Sequence, residues 1–200
     1  MGIKVVLDQS AVGGNLQDHL DVCTLVRCHE KITYDQISEV LTGLRYYLTR
    51  NGPGSSNIAE AGGFIVSRHA EDDRPDIQMH FVPALLDDHG RNQLEGYGMT
   101  IHACPLRPTS RGRLSLASAD PAAAPVIHAN YLTTEYDRRM MIECARLARN
   151  IFSQAAFKPF VGEEIFPGAN AQSDEDLMAF VRKKAESIYH PVGTCRMGAG

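Results

Sequence analysis

The sequence predicts an α+β domain in which helices flank an antiparallel sheet. Three observations carry this: apolar residues alternate with period two from Glu60 to Leu116, the connectors between those runs are short and turn-rich, and apolar residues recur at helical spacing before and after them.

In chain order, Ile3-Lys4-Val5-Val6-Leu7 is a short apolar run that predicts a strand, and the polar, glycine-rich stretch from Asp8 to Asp18 predicts an extended loop. Thr33 with Gln36 forms a capping pattern ahead of Ile37, Val40, Leu41, Leu44, Tyr47 and Leu48, a helical repeat that Asn51-Gly52-Pro53 stops. Four strands are then expected: Phe64-Ile65-Val66; Ile77, Met79 and Phe81; Tyr97, Met99, Ile101 and Ala103; Leu114 and Leu116. Their connectors hold Arg74-Pro75, Asp87-Asp88-His89-Gly90 and Ser110-Arg111-Gly112, and most lack the crossover helix a parallel sheet needs. After a loop around Asp120-Pro121, Thr134 with Asp137 caps a helix marked by Met140, Met141, Cys144, Leu147, Ala148 and Ile151. Ser173 with Asp176 caps another, carrying Leu177, Phe180 and Val181. His190 precedes Pro191, whose ring disfavours helical backbone in the residue before it, so His190 is expected at a helix exit.

Composition narrows the function classes. At 200 residues, 44% apolar and 22% charged, the chain reads as one globular domain able to bury a core without staples. A net charge of −4, from 20 basic and 24 acidic residues dispersed along the chain, offers no footprint for nucleic acid or anionic lipid. Five cysteines without a C-x-x-C pair fit reduced thiols, and no apolar run approaches membrane-spanning length. A cytoplasmic protein is expected, with the parent protein free to sit peripherally at a membrane.

His190, followed by Gly193 and Thr194, could present its imidazole in a cleft as a general base or hydrogen-bond donor. By residue type alone it reads as a structural or exposed histidine, since its spacing supplies no nucleophile or carboxylate partner. His80, His89 and His102 with Asp87 and Asp88 raise a metal hydrolase, but no H-x-x-x-H or H-x-H pair sets two ligands on one face. They read as residues on a solvated sheet face, and no metal site is expected.

His-Pro-Val-Gly-Thr-Cys-Arg-Met-Gly at 190–198 closely resembles a signature near the C-terminus of glucose-methanol-choline (GMC) oxidoreductases, and Val12-Gly13-Gly14-Asn15-Leu16-Gln17-Asp18-His19 resembles their flavin-proximal loop. Glu60-Ala61-Gly62-Gly63-Phe64, Pro75-Asp76-Ile77-Gln78-Met79-His80-Phe81, Ser110-Arg111-Gly112 and Asn130-Tyr131-Leu132 also look like this family, within which choline and aliphatic alcohol dehydrogenases resemble the chain most. The resemblance implies a substrate-binding domain over residues 1–200, with 1–20 near the flavin and 187–200 holding the active-site histidine. It implies FAD as cofactor, a small alcohol as substrate, His190 as general base or alkoxide stabiliser, Asn15, Leu16, Gln17, Asp18 and His19 at the flavin, and Glu60 as a carboxylate facing the substrate. By residue type alone, 15–19 is an Asx-rich turn and Glu60 a surface glutamate at a strand start.

The chain has no G-x-G-x-x-G after a strand, and family members continue beyond the His190 signature. A fragment is therefore expected, inactive by itself, whose partner is a missing FAD-binding domain and whose severed interface self-associates. Met1-Gly2 against the opening run reads as an artificial start. The alternative is a non-enzymatic module that binds a small alcohol or amine.

Overall fold

A computed structural model describes residues 4–198. Strand β1, Leu20–Cys28, is the centre of the molecule, and its sequence LDVCTLVRC does not alternate because both of its faces are covered. That double burial hides it from a search for period-two patterns. On one side β1 pairs with β4, Gly98–Pro105, and beyond it lie β3, Ile77–Val82, and β2, Ala61–Ile65. On the other side stand β7, Val161–Phe166, and the two-residue β8, Glu186–Ser187. Every pairing is antiparallel, and β5, Arg113–Ser115, with β6, Val126–His128, forms a separate hairpin.

Helix α2, Glu135–Phe152, packs across one face of the sheet. Its Met140, Met141, Cys144, Ala145 and Ala148 are buried with Val22 and Val26 of β1 and Met99, Ile101 and Ala103 of β4. Leu177 and Val181 of α3, Asp174–Lys184, complete this core. Both helices start where expected: the Thr134 side chain accepts the Asp137 N–H at 3.2 Å, and Ser173 and Asp176 form a reciprocal capping box. Arg149 of α2 reaches both oxygens of Glu164 on β7, and donates to the Gly168 and Ala171 carbonyls, tying helix to sheet.

Four expectations need correction. Lys4 to Leu7 form no strand; Val5, Val6 and Leu7 are exposed and pair with nothing in a sheet, while Ile3 lies outside the described residues. Helix α1, Glu39–Thr49, is capped by Ser38 rather than Thr33. The Thr33 hydroxyl donates instead to Asp35 at 2.6 Å, and that carboxylate accepts the N–H groups of Leu85 and Gly98, so tertiary contacts claim the expected cap. The chain leaves α3 at Ala185 and then pairs as β8 with Leu20 and Asp21, which places His190 in an extended segment rather than at a helix exit. His80 and His102 do not lie on a freely solvated face, as described below. The strands β1, β7 and β8 are additions to the expected sheet, and the expected strand at Leu114 stands outside it, in the hairpin with β6.

All five cysteines are unpaired thiols. Among the described residues no helix is long and apolar enough to cross a membrane. Helix α1 buries no residue, leaving Val40, Leu41, Leu44, Tyr47 and Leu48 exposed.

Asp137 binds the chain leaving β4 to the start of α2: it accepts the Thr109 N–H at 2.7 Å, the Ser110 N–H at 2.8 Å and the Thr109 hydroxyl at 3.0 Å. Burial pushes its pKa up, but the hydrogen bonds from Ser110 and Thr109 outweigh it and hold the carboxyl below its ordinary value. A depressed folded-state pKa adds stability that is present above the unfolded pKa and is lost as pH falls through the folded one. Asp137→Asn is therefore expected to cost about 1–3 kcal/mol at pH 7. Its gap from the unaltered chain should narrow below about pH 4 in urea unfolding, and a gap of equal size at pH 3 would rule out the carboxylate charge as the cause.

Candidate active site

Two segments at opposite ends of the chain are zipped together. Leu16 exchanges two backbone hydrogen bonds with Gly112, at 2.9 and 2.8 Å, and Gln17 exchanges two with Val192, also at 2.9 and 2.8 Å. Ile188 N–H donates to the His19 carbonyl at 3.1 Å, Asn15 Nδ2 to the Gly193 carbonyl at 3.1 Å, and Cys195 N–H to the Ala11 carbonyl at 2.8 Å. The approach is so close that a Cβ on Gly193, where φ is +92°, would stand 2.3 Å from the Asn15 carbonyl oxygen. Only glycine fits there.

Asp18 locks this zipper from beneath. Its buried carboxylate accepts the His190 backbone N–H at 3.0 Å, the Ser187 hydroxyl at 2.5 Å and the Tyr131 hydroxyl. Burial, then the hydrogen bond to Asp18 and its charge, pushes the Tyr131 phenol up to about 12. His190 is thus anchored through its backbone while its side chain is exposed. Its ring meets that of His19 edge-on at 5.2 Å between centroids, with Nδ1 of each 3.2 Å apart, and His19 Nε2 lies 2.9 Å from the Leu106 carbonyl oxygen. Burial lowers the His19 pKa; the Leu106 hydrogen bond works against that shift, and His190 adds to it.

Beside the zipper, the sheet face turned away from α2 carries a row that runs across four strands: Gly62, His80, His102 and Cys23 are successive register partners. Direct partners across antiparallel strands hold their Cβ atoms about 4.5–5.5 Å apart, so these side chains are neighbours. His102 Nδ1 stands 2.5 Å from Asp21 Oδ2, and Cys23 Sγ 3.0 Å from the same nitrogen. Because both groups meet one nitrogen, the trio is not a nucleophile–imidazole–carboxylate relay, which needs both ring nitrogens. Burial, reinforced by Asp21, also pushes the Cys23 thiol well up, keeping it protonated. Burial lowers the His80 pKa, with Asp21 opposing and His102 and His190 adding to the shift, and His80 Nε2 is buried without a partner. These contacts escaped the sequence reading because cross-strand register is not written in any local spacing.

The other expected site residues separate into groups. Asn15, Gln17, Asp18 and His19 all touch the His190 segment. Leu16 is buried and its backbone polar groups are engaged by Gly112. Glu60 is exposed just before β2, where Tyr34 donates its hydroxyl to it; hydrogen bonds from Ser56 and then Tyr34 lower its pKa. Among the described residues no hydrogen bond joins Glu60 to His19 or His190.

A polar cleft of about 400 Å³ opens beside the zipper, lined by Gln17, His19, Arg74, Arg107, Arg111 and Val192. An apolar pocket of similar volume, about 400 Å³, lies between Gly63, Ile65, Met79, Phe81, Ile151 and Phe157. Neither was evident from sequence, since each gathers residues from distant segments. The zipper offers a mixed polar and apolar rim, with His190, Gln17 and His19 beside exposed Val12 and Val192. That rim suits the flat ring end of a flavin, which needs hydrogen-bonding groups and apolar cover, better than its phosphates.

A family model described as GMC oxidoreductase matches residues 108–200. The chain is 44% identical to an alcohol dehydrogenase [acceptor] of Pseudomonas putida, over 98% of this chain and 36% of that protein. It is also 44% identical to a mitochondrial choline dehydrogenase of Mus musculus, over 99% of this chain and 34% of that one. Among solved structures, a formate oxidase of Aspergillus oryzae, the subject of a study of FAD modification, superposes with a TM-score of 0.86 at 25% identity, over 98% of this chain and 39% of that one. A pyridoxine 4-oxidase shares the fold, with a TM-score of 0.79 at 20% identity, over 100% of this chain and 36% of that one. The chain thus spans about a third of the length of the curated relatives it matches.

Asp18→Ala would leave the Tyr131 hydroxyl, the Ser187 hydroxyl and the His190 N–H without their shared acceptor. Amide exchange at Ile188 and His190 is expected to speed up by about tenfold or more while the α2 core stays protected. Unchanged protection would show that the Gln17–Val192 pair holds the segment unaided.

Proposed function

The chain belongs to the GMC oxidoreductase family, and from that premise we propose that it is the substrate-binding portion of an FAD-dependent dehydrogenase that oxidises a primary alcohol, choline or an aliphatic one, to its aldehyde. The observation that carries this reading is His190, fixed at its backbone by Asp18 yet exposed at its ring, beside the loop of residues 15–19. In this reading His190 takes the proton of the substrate hydroxyl, a step that contributes on the order of 10²–10⁴-fold in comparable acid–base catalysis. FAD, when bound, supplies the acceptor for the hydride that leaves the carbinol carbon. Asn15 and Gln17 would hold its ring end, and its phosphates would belong to a part of the protein outside these residues.

His80, within electrostatic reach of His190, would meet the substrate side of this site. Glu60 with Tyr34 supplies an anion and an aromatic ring, the pairing a quaternary ammonium favours. The exposed apolar stripe of α1 supports a covering partner, which we assign to the FAD-binding portion in the whole protein and to a second copy when that portion is missing. The isolated chain would then be inactive and self-associated, and a strictly monomeric solution mass would count against that assignment.

The decisive experiment is the visible spectrum of the whole protein, followed anaerobically as choline and then a medium-chain primary alcohol are added. Bleaching of a flavin band by either supports the reading, and its loss by about 10²-fold or more in rate with His190→Ala would place the proton transfer there. A protein without flavin, or one bleached by neither alcohol, would overturn it. Glu60→Gln is expected to raise the KM for choline about tenfold while leaving that for the aliphatic alcohol nearly unchanged.

A further inference from the structure

We infer that His19 is a positioning residue that sets the tautomer of His190, holding a proton on His190 Nδ1 so that its Nε2 presents a bare lone pair. The inference rests on the reading of His190 as the acceptor of the substrate proton. It deepens that reading by giving His19 a role toward His190 rather than toward the flavin.

Three contacts in series carry it. The Leu106 carbonyl can only accept, so His19 Nε2, at 2.9 Å, must bear the proton that it donates. A neutral imidazole has one N–H, so His19 Nδ1 is then an acceptor. His190 Nδ1, 3.2 Å away, must supply the proton of that contact, and in the neutral imidazole that acts as a base this leaves Nε2 of His190 unprotonated. The opposite arrangement would need protons on both nitrogens of His19, and burial, with His190 alongside, disfavours that second proton. The Leu106 hydrogen bond and, less, Asp18 favour it, but burial is the largest influence and the net shift is downward.

The series is also mechanically stiff. The Leu106 carbonyl follows directly on β4, and its own N–H is fixed to the Asp76 carbonyl at 2.9 Å. At the other end, the backbone of His190 is held by Asp18 and the His19 carbonyl by Ile188. The imidazole of His190 is therefore constrained at its backbone and at Nδ1, leaving Nε2 to face a substrate. A base that must find its tautomer during the reaction loses rate, and an orienting partner removes that loss.

The test uses the whole flavin-loaded protein with ¹⁵N-labelled histidine. Unaltered protein is expected to show His19 protonated at Nε2, and His190 protonated at Nδ1 with a pyridine-type Nε2. In His19→Leu, which has no acceptor, His190 should populate both tautomers, and kcat for alcohol oxidation should fall by about 100-fold with little change in KM. His19→Asn, whose Oδ1 can accept from His190 in place of Nδ1, should restore the tautomer and most of kcat. If Nε2 of His190 proves protonated in the unaltered protein, or if its tautomer is indifferent to both substitutions, the inference is overturned. The expected nitrogen signals in a protein that no alcohol bleaches would support the tautomer assignment and overturn only the proposed function.

Discussion

One buried carboxylate organises the candidate site. Asp18 accepts hydrogen bonds from Tyr131, from Ser187 and from the backbone of His190, groups that belong to two stretches of chain far from its own. A buried carboxylate is costly unless such donors surround it, and these donors would each lose their acceptor without it. The satisfaction is mutual. The loop of residues 15–19, the start of the final segment and the tyrosine ahead of α2 are therefore held as a unit, and the position of the His190 ring follows from that unit.

The sheet supplies the platform on which this lock rests. Its α2 face is apolar and closely packed, with Val22, Ile77, Ala103, Met140 and Cys144 fully excluded from solvent. Its other face carries Asp21, Cys23, His80 and His102, an unusual load of titratable side chains for strand interiors. Period two makes this division possible: one strand can serve the core with alternate residues and chemistry with those between. β1 shows both uses, Val22 and Val26 going to the core while Asp21 and Cys23 meet His102.

What the sequence reveals and conceals follows from the range of the interactions. The caps of α2 and α3 are legible because Thr134 with Asp137 and Ser173 with Asp176 act across three residues. The cap expected at Thr33 failed because Asp35 is recruited by backbone amides of Leu85 and Gly98, about fifty and sixty residues away along the chain. The central strand escaped because burial on both faces erases alternation. At the site, His190 and the loop of residues 15–19 stand out through motifs, whereas the contact of His19 with His190, and that of Asp21 with His102, arise only from folding. The hydrogen bonds supply the reason those residues need one another.

The separation of the zipped segments carries a consequence for how the protein matures. His19 and His190 lie 171 positions apart, and nearly every element of the fold is strung between them. Contacts of such long range must await the closure of the loop that joins them, and are gained after local helices and hairpins. During synthesis most of the sheet and the packed α2 can be in place before the final segment emerges, so a structured core precedes a competent site. A cut near Val192 would leave a folded body without its histidine in position. Foldedness and competence are separable properties in this molecule, and a measure of one does not report the other.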